Sequence, residues 1–188
     1  MEGLGKGIIS GLLFEMKTWA RLLMPGTKYV APYYPTPDAI VARMLSLAKV
    51  TKDDVIFDLG CGDGKVLTAA ATRVGARGVG YELDPELAEL AAANAVRLKV
   101  DHLVEIICGD AAAADVSRAS VLALYLSDSG NKELLRRLGP SLSPGTRVVS
   151  FFFTIENYER NLVKQDSHDN LSVYLYKVPA VVDTDQQP

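Results

Sequence analysis

The 188-residue chain has little of what marks a metal or redox site: only two cysteines and two histidines. Cys61, Cys108, His102 and His168 stand apart from one another, in no cluster, so no metal site is expected and the histidines read as surface groups. Cys61 in a glycine loop and Cys108 late in a later strand read as reduced thiols rather than a staple. An excess of positive charge is also missing. The formal net charge of -3 gives no electrostatic footprint for nucleic acid, and none is expected as a partner. Nor is there an uninterrupted apolar run of about 20 residues to span a bilayer. The chain has no internal repeats. Its 48% hydrophobic content is still enough for a sizeable core and excludes a disordered chain.

What is present is concentrated in one stretch. The apolar run Val55-Ile56-Phe57 leads into Asp58-Leu59-Gly60-Cys61-Gly62-Asp63-Gly64, and a second strand, Val79-Gly80-Tyr81-Glu82, ends on a carboxylate. Glycines let backbone approach a ligand closely, and an acid at a strand end can accept from a ribose diol. The spacing is G-x-G-x-G rather than the dinucleotide fingerprint G-x-G-x-x-G, whose third glycine would fall on Lys65. Asp58 and Asp63 bracket the loop. Carboxylates there repel a pyrophosphate and suit a ligand carrying an ammonium or sulfonium. S-adenosylmethionine fits this pattern; NAD fits it poorly.

Along the chain, Ile8, Ile9, Leu12, Leu13, Met16, Trp19, Leu22 and Leu23 recur at helical spacing, so residues 1–30 read as an amphipathic helix and linker. Two roles are open to residues 1–24: docking on the domain near the cofactor mouth, or contact with a membrane surface or partner. Glu2 and Glu15 match a cleaved signal or transit peptide poorly. Pro25-Gly26 ends the helix, and Pro32 to Pro37 forms a stiff extended stretch. Thr36 is expected to cap a helix with Pro37 at its first position and a buried stripe of Ile40, Val41, Met44, Leu45 and Ala48. Strands at 55–60, 78–83, 104–110, 120–126 and 146–153 then alternate with helices at about 63–74, 85–98 and 130–138. This predicts an α/β fold, a mostly parallel sheet with helices on both faces. Runs at about 161–166 and 171–178 are too close for a crossover helix and must form a C-terminal antiparallel hairpin. Residues 179–188 are expected to be a disordered tail.

The first three strand ends carry Asp58, Glu82 and Asp110, which is hard to explain as solvation in buried parallel strands. Asp58 would organise the loop and reach the methionine ammonium. Gly60, Gly62 and Gly64 would lie against methionine and ribose, and Glu82 would accept both ribose hydroxyls. Leu83 would pack on adenine, with Asp110 and Ala111 at the adenine amino group. Asp63 reads as a helix cap before a ligand. Thr36 could bond cofactor or only cap its helix.

Ala31-Pro32-Tyr33-Tyr34-Pro35-Thr36-Pro37, Met44-Leu45, the glycine loop through Lys65, and Gly78-Val79-Gly80-Tyr81-Glu82-Leu83 resemble one family in particular. It is the small class I protein-lysine methyltransferases related to the ATP synthase c-subunit lysine methyltransferase and archaeal broad-specificity lysine methyltransferases. The resemblance runs through Leu124-Tyr125-Leu126 and Gly145 to Ser150, then to Tyr174-Leu175-Tyr176-Lys177, and covers about residues 31–178. It implies a Rossmann-like, seven-stranded sheet of order 3-2-1-4-5-7-6, which puts Cys61 and Cys108 on non-adjacent strands. It also implies a protein substrate with an accessible lysine, in an intracellular compartment that is mitochondrial by resemblance or else cytoplasmic. Valine is common in the family at Tyr34 and arginine at Lys65, and Phe151-Phe152-Phe153 is less polar than the family pattern. That last departure touches the substrate side.

On this topology Tyr33, Tyr34, Tyr125 and Phe151 surround the mouth where a methyl group would point. An apolar aromatic channel lowers the pKa of an entering lysine amine and can hold a methylated ammonium by cation–π contact. Two alternatives share the cofactor site: a small-molecule methyltransferase, and a catalytically silent cofactor-binding assembly module. Methylation of nucleic-acid amines usually goes with N/D-P-P-Y/F after the fourth strand, where this chain reads Leu126-Ser127-Asp128-Ser129.

Overall fold

The computed structural model describes residues 33–179. The helix and linker expected over residues 1–30, its docking or membrane contact, and the tail lie outside the described residues. Helix α1 (Asp38–Leu47) precedes a regular alternation: β1 (Val55–Leu59), α2 (Lys65–Val74), β2 (Arg77–Glu82), α3 (Pro85–Arg97), β3 (Val104–Cys108), β4 (Val121–Leu124), α4 (Asp128–Leu138) and β5 (Arg147–Phe151). The antiparallel pair β6 (Leu162–His168) and β7 (Leu171–Lys177) closes it. The strand order is 3-2-1-4-5-7-6, as the resemblance implied. Strands β3, β2, β1, β4 and β5 run parallel, and β7 is antiparallel to both β5 and β6.

The two-residue period of the strands sorts side chains into two cores. Ile56, Val121, Ala123, Val149 and Phe151 face α1, α2 and α3, meeting Met44, Leu67, Ala70 and Ala91. Phe57, Leu59, Leu122, Leu124 and Val148 face the other way, against Leu134, Leu135 and Leu138 of α4. Continuous apolar runs in β1 and β4 follow from burial on both faces.

Local signals explain most boundaries, and a few expectations need correction. Asp84 caps α3 by accepting from the Glu86 amide at 3.0 Å, with Pro85 in the first turn. Thr36 does not cap α1: the extended Pro37 is the boundary residue, and only its carbonyl accepts, from the Ile40 and Val41 amides at 2.9 and 3.0 Å. Helix α4 begins at Asp128 rather than 130, because Ser127 accepts from the Gly130 amide at 3.0 Å. The hairpin is tighter than expected. Strand β6 runs on to His168, and Asp169 and Asn170 alone turn the chain with φ of 48° and 63°, as a two-residue hairpin turn of the primed type requires.

One ion pair ties the amino ends of the strands together. Arg147, at the start of β5, is bonded to the buried Asp54 just before β1, and donates to the Lys49 carbonyl at 3.1 Å after α1. Asp54 also accepts from the Ser120 hydroxyl at 2.7 Å and the Thr51 amide at 2.8 Å. Burial pushes its pKa up, but Ser120, Thr51 and Arg147 outweigh that and hold it below the usual carboxylate value. Arg147→Met should therefore destabilise the fold by about 2 kcal/mol, the cost of removing charged hydrogen bonds from a buried acid. Urea unfolding should show a lower midpoint with unchanged slope; an unchanged midpoint would remove the pair from the stability account.

Candidate active site

In an open parallel sheet, ligands sit beyond the carboxyl ends of the strands where chain direction switches. Here that point lies at β1, which pairs with β2 on one side and β4 on the other. A cavity of about 470 Å³ opens there. Its walls include Asp58, Gly60, Gly62, Glu82, Leu83, Asp110 and Ala111, together with Tyr33, Tyr34, Thr36 and Tyr125.

The glycine loop is pinned to the second strand. The Gly60 and Cys61 amides donate to the Tyr81 carbonyl at 2.8 and 3.0 Å. The buried Glu82 carboxylate accepts from the Gly62 amide at 2.8 Å with one oxygen and from the Asp84 amide at 2.9 Å with the other. A carboxylate oxygen accepts more than one hydrogen bond, so an acid held this way can still receive a diol. Gly62 has φ of 54°, and a Cβ there would stand 2.6 Å from the Tyr33 ring. Close approach, not only turn geometry, requires glycine at this position.

The strap at residues 33–37 is drawn over that loop. The Lys65 ammonium donates to the Thr36 carbonyl at 3.1 Å and pairs with Asp38 at 3.3 Å. Burial pushes the Tyr33 phenol well above its ordinary pKa, and the Asp63 carboxylate adds to this through its charge and a hydrogen bond. Asp63 also accepts from the Lys65 amide at 3.2 Å, so it serves the start of α2 and the strap at once.

Acid is packed densely in this cavity. Burial, then the charges of Glu82 and Asp63, raise the pKa of Asp58 to about 7. The same burial and the neighbouring Asp58 and Glu82 push the Cys61 thiol far up, so it stays protonated and serves as packing against Gly80. Cys108 is exposed, and both cysteines are free.

Two expected site residues sit elsewhere. Phe151 does not line the cavity. Along β5 it shares the face of Val149, and at 3% exposure it packs into the core behind Tyr125, with ring centroids 4.6 Å apart. Gly64 is also absent from the walls: at the start of α2, a Cβ on it would come within 3.0 Å of Ala91, so it allows α2 and α3 to approach. Thr36, by contrast, lines the cavity rather than capping its helix. Asp84, Lys65 and Leu126 are wall residues that sequence reading left aside. Asp84-Pro85 signalled a helix start, and nothing in the sequence set that carboxylate apart as a wall residue.

A family model described as the ANTKMT methyltransferase domain matches residues 58–162. A protein-lysine N-methyltransferase of Saccharolobus islandicus strain REY15A is 39% identical over 150 residues, spanning 78% of this chain and 93% of its own. The chain belongs to this methyltransferase family. The ATP synthase c-subunit lysine N-methyltransferase of Xenopus laevis is 26% identical over 170 residues, covering 89% of this chain and 74% of its own. Among solved structures, an RNA methyltransferase from Salinibacter ruber in complex with S-adenosyl-L-homocysteine matches with a TM-score of 0.77 at 41% identity. The match covers 82% of this chain and 100% of that one.

The cofactor of this methyltransferase is S-adenosylmethionine. The residues present fit it: converging carboxylates favour a ligand with two positive charges, and the glycine-lined floor lets backbone meet it closely. The same electrostatics make binding depend on pH. Asp58 in the free protein ionises at about 7, and a cationic ligand prefers it ionised. Affinity for S-adenosylmethionine should therefore fall as pH drops below 7, by up to about tenfold per unit, with proton release on binding. Calorimetry between about pH 5.5 and 7.5 should show that slope in the native chain and its loss in Asp58→Asn. A slope retained in the variant would assign the titration to another group.

Proposed function

We propose that the methyltransferase transfers methyl groups to a lysine side-chain amine of a protein. The observation that carries this reading is the aromatic mouth of the cavity, where Tyr33, Tyr34 and Tyr125 stand together. Burial raises the Tyr125 pKa, with the nearby Tyr34 adding to it, so its hydroxyl stays neutral in the cavity wall. The lysine methyltransferases of Saccharolobus islandicus and Xenopus laevis support the same acceptor class.

When bound, S-adenosylmethionine supplies a methyl activated by a sulfonium. The chain's residues have three tasks around it: binding, aiming and keeping water out. Asp58 would hold the ammonium, directly or through water, and Glu82 would receive the ribose hydroxyls. Asp110 and Ala111 would meet the adenine, with Leu83 packing on it. Gly60 and Gly62 would admit the methionine. Thr36, on the strap beside Tyr33, closes the near side. Tyr125, Tyr33 and Tyr34 form an aromatic collar in which an ammonium sheds its proton more readily than in water. Cation–π contact with the product contributes about 0.5–2 kcal/mol.

The Salinibacter ruber relative is named an RNA methyltransferase, which makes RNA the reading to weigh. Phosphate recognition needs lysine and arginine around the mouth. In this chain the cavity is lined by Asp58, Asp63, Glu82, Asp84, Asp110 and Glu133 against two cations, Lys65 and Arg137. Arg43, Lys49, Arg147, Lys164 and Lys177 border a separate groove between α1 and the β6–β7 hairpin. The segment after β4 reads Leu126-Ser127-Asp128-Ser129, without the proline-aromatic pair that grips a flipped base.

Incubating the protein with methyl-tritiated S-adenosylmethionine and a cell extract tests the acceptor. Label should vanish with protease and survive nuclease; the opposite pattern would overturn the reading. With a lysine acceptor, the rate should climb between about pH 7 and 9 as more amine becomes neutral. Glu82→Ala should weaken S-adenosylmethionine binding at least about tenfold, or 1.4 kcal/mol, because ribose hydroxyls and the Gly62 and Asp84 amides all lose their acceptor. Unchanged affinity in that variant would remove Glu82 from the cofactor site.

A further inference from the structure

The chain leaves β5 through an unusual turn. Phe152 has φ of 68°, a conformation that a bulky residue rarely adopts. The Phe153 amide donates to the Phe151 carbonyl at 2.8 Å, closing a γ-turn around Phe152 in its rarer, strained form. Strain of this kind persists only where the surroundings enforce it. Here they do so from three sides. The Phe152 amide donates to the Ser172 carbonyl of β7 at 2.8 Å, and the Ser150 hydroxyl donates to the Phe153 carbonyl at 2.7 Å. Behind Ser150, the side-chain amide of Asn131 in α4 donates to its hydroxyl at 3.3 Å. Asn131 is 0% exposed, and its carbonyl oxygen has no hydrogen-bond partner.

A strained backbone and an unsatisfied buried amide both oppose folding, so stability does not account for the turn. Its effect is to hold one ring outward. Phe151 is buried, whereas Phe152 is 49% exposed and stands edge-on to Phe151 and Phe153 at 6.2 and 5.0 Å. The half-buried Phe153 in turn stacks on Tyr125, a wall of the cavity, with ring centroids 6.4 Å apart. An aromatic shelf therefore runs from the cavity mouth out to Phe152, whose own ring lies beyond the cavity walls. Two or three residues of extended chain, at about 3.3 Å each, span such a step.

We propose that Phe152 is a substrate-docking residue, presenting its ring to an apolar side chain two or three residues from the acceptor lysine. This rests on the protein-lysine reading above. The turn accounts for both unfavourable features at once: they aim a contact that water would otherwise discourage.

The test uses the full chain and two synthetic peptides with one lysine each, one flanked only by glycine and serine, the other carrying leucine two and three residues away on both sides. The native chain should favour the leucine peptide by about fivefold in kcat/KM, expressed in KM, as expected for one apolar side chain partly buried on a ring. Phe152→Gly should make the two peptides equal while leaving S-adenosylmethionine affinity unchanged. Its thermal midpoint should be equal or higher, because glycine adopts positive φ without strain. Phe152→Tyr should keep the preference. Equal rates in the native chain, a preference that survives Phe152→Gly, or a marked fall in thermal midpoint in that variant would each overturn the proposal. Label entering RNA and neither peptide would overturn the lysine reading itself, and this proposal with it.

Discussion

The Glu82 carboxylate is the group on which the site depends. Its two oxygens accept amides from Gly62 and Asp84, and so join the glycine loop after β1 to the start of α3 after β2. Without that bridge the loop would keep the Tyr81 carbonyl and the Asn94 side-chain amide, which donates to the Asp63 carbonyl at 3.0 Å. Fixing an acid by backbone donors also lets it remain at a buried strand end, where an unsupported carboxylate would be costly. One side chain thus ties the loop to the start of α3 and adds to the negative charge of the cavity.

That field explains the neighbouring chemistry. Asp58 is pushed toward neutrality by burial, with Glu82 and Asp63 adding to it, while Tyr33 is held neutral by burial and its bond to Asp63. A cavity in this condition favours a cation, and S-adenosylmethionine brings two positive centres. The strap at residues 33–37 is part of the same system, since Lys65 binds its backbone and Tyr33 covers Gly62. The strap and the cavity therefore share the Asp63 carboxylate, which bonds Tyr33 and adds to the charge that raises Asp58.

The substrate side is built differently. Cofactor walls come from strand ends and the loop between β1 and α2, where regular structure sets position. The proposed acceptor side comes from the strap, from Tyr125 one residue past β4, and from the turn after β5. These segments leave the sheet and are held by individual hydrogen bonds rather than by ladders. A change in one side chain can alter them without disturbing the core. Recognition of different acceptors on one cofactor scaffold is possible for that reason.

The sequence by itself determined the alternation of strands and helices, the closing hairpin, and the acids and glycines of the cofactor loop. Those depend on short-range period, on glycine at set spacing and on charge at strand ends, all visible along the chain. Strand order was legible only through family resemblance, because nothing local states which strand lies beside which. Tertiary structure alone decided the rest. Phe151 could be placed at the mouth on topology, but the pleat of β5 turns it into the core, and the positive φ of Phe152 turns the next ring outward. Gly64 matched the loop pattern, yet its φ of 75° and the approach of α3 through Ala91 are what require it. Thr36 had the chemistry of a cap, but the extended Pro37 carries its side chain to the cavity instead. In each case residue type was known and direction was not, since direction depends on backbone angles and on neighbours far away in the chain.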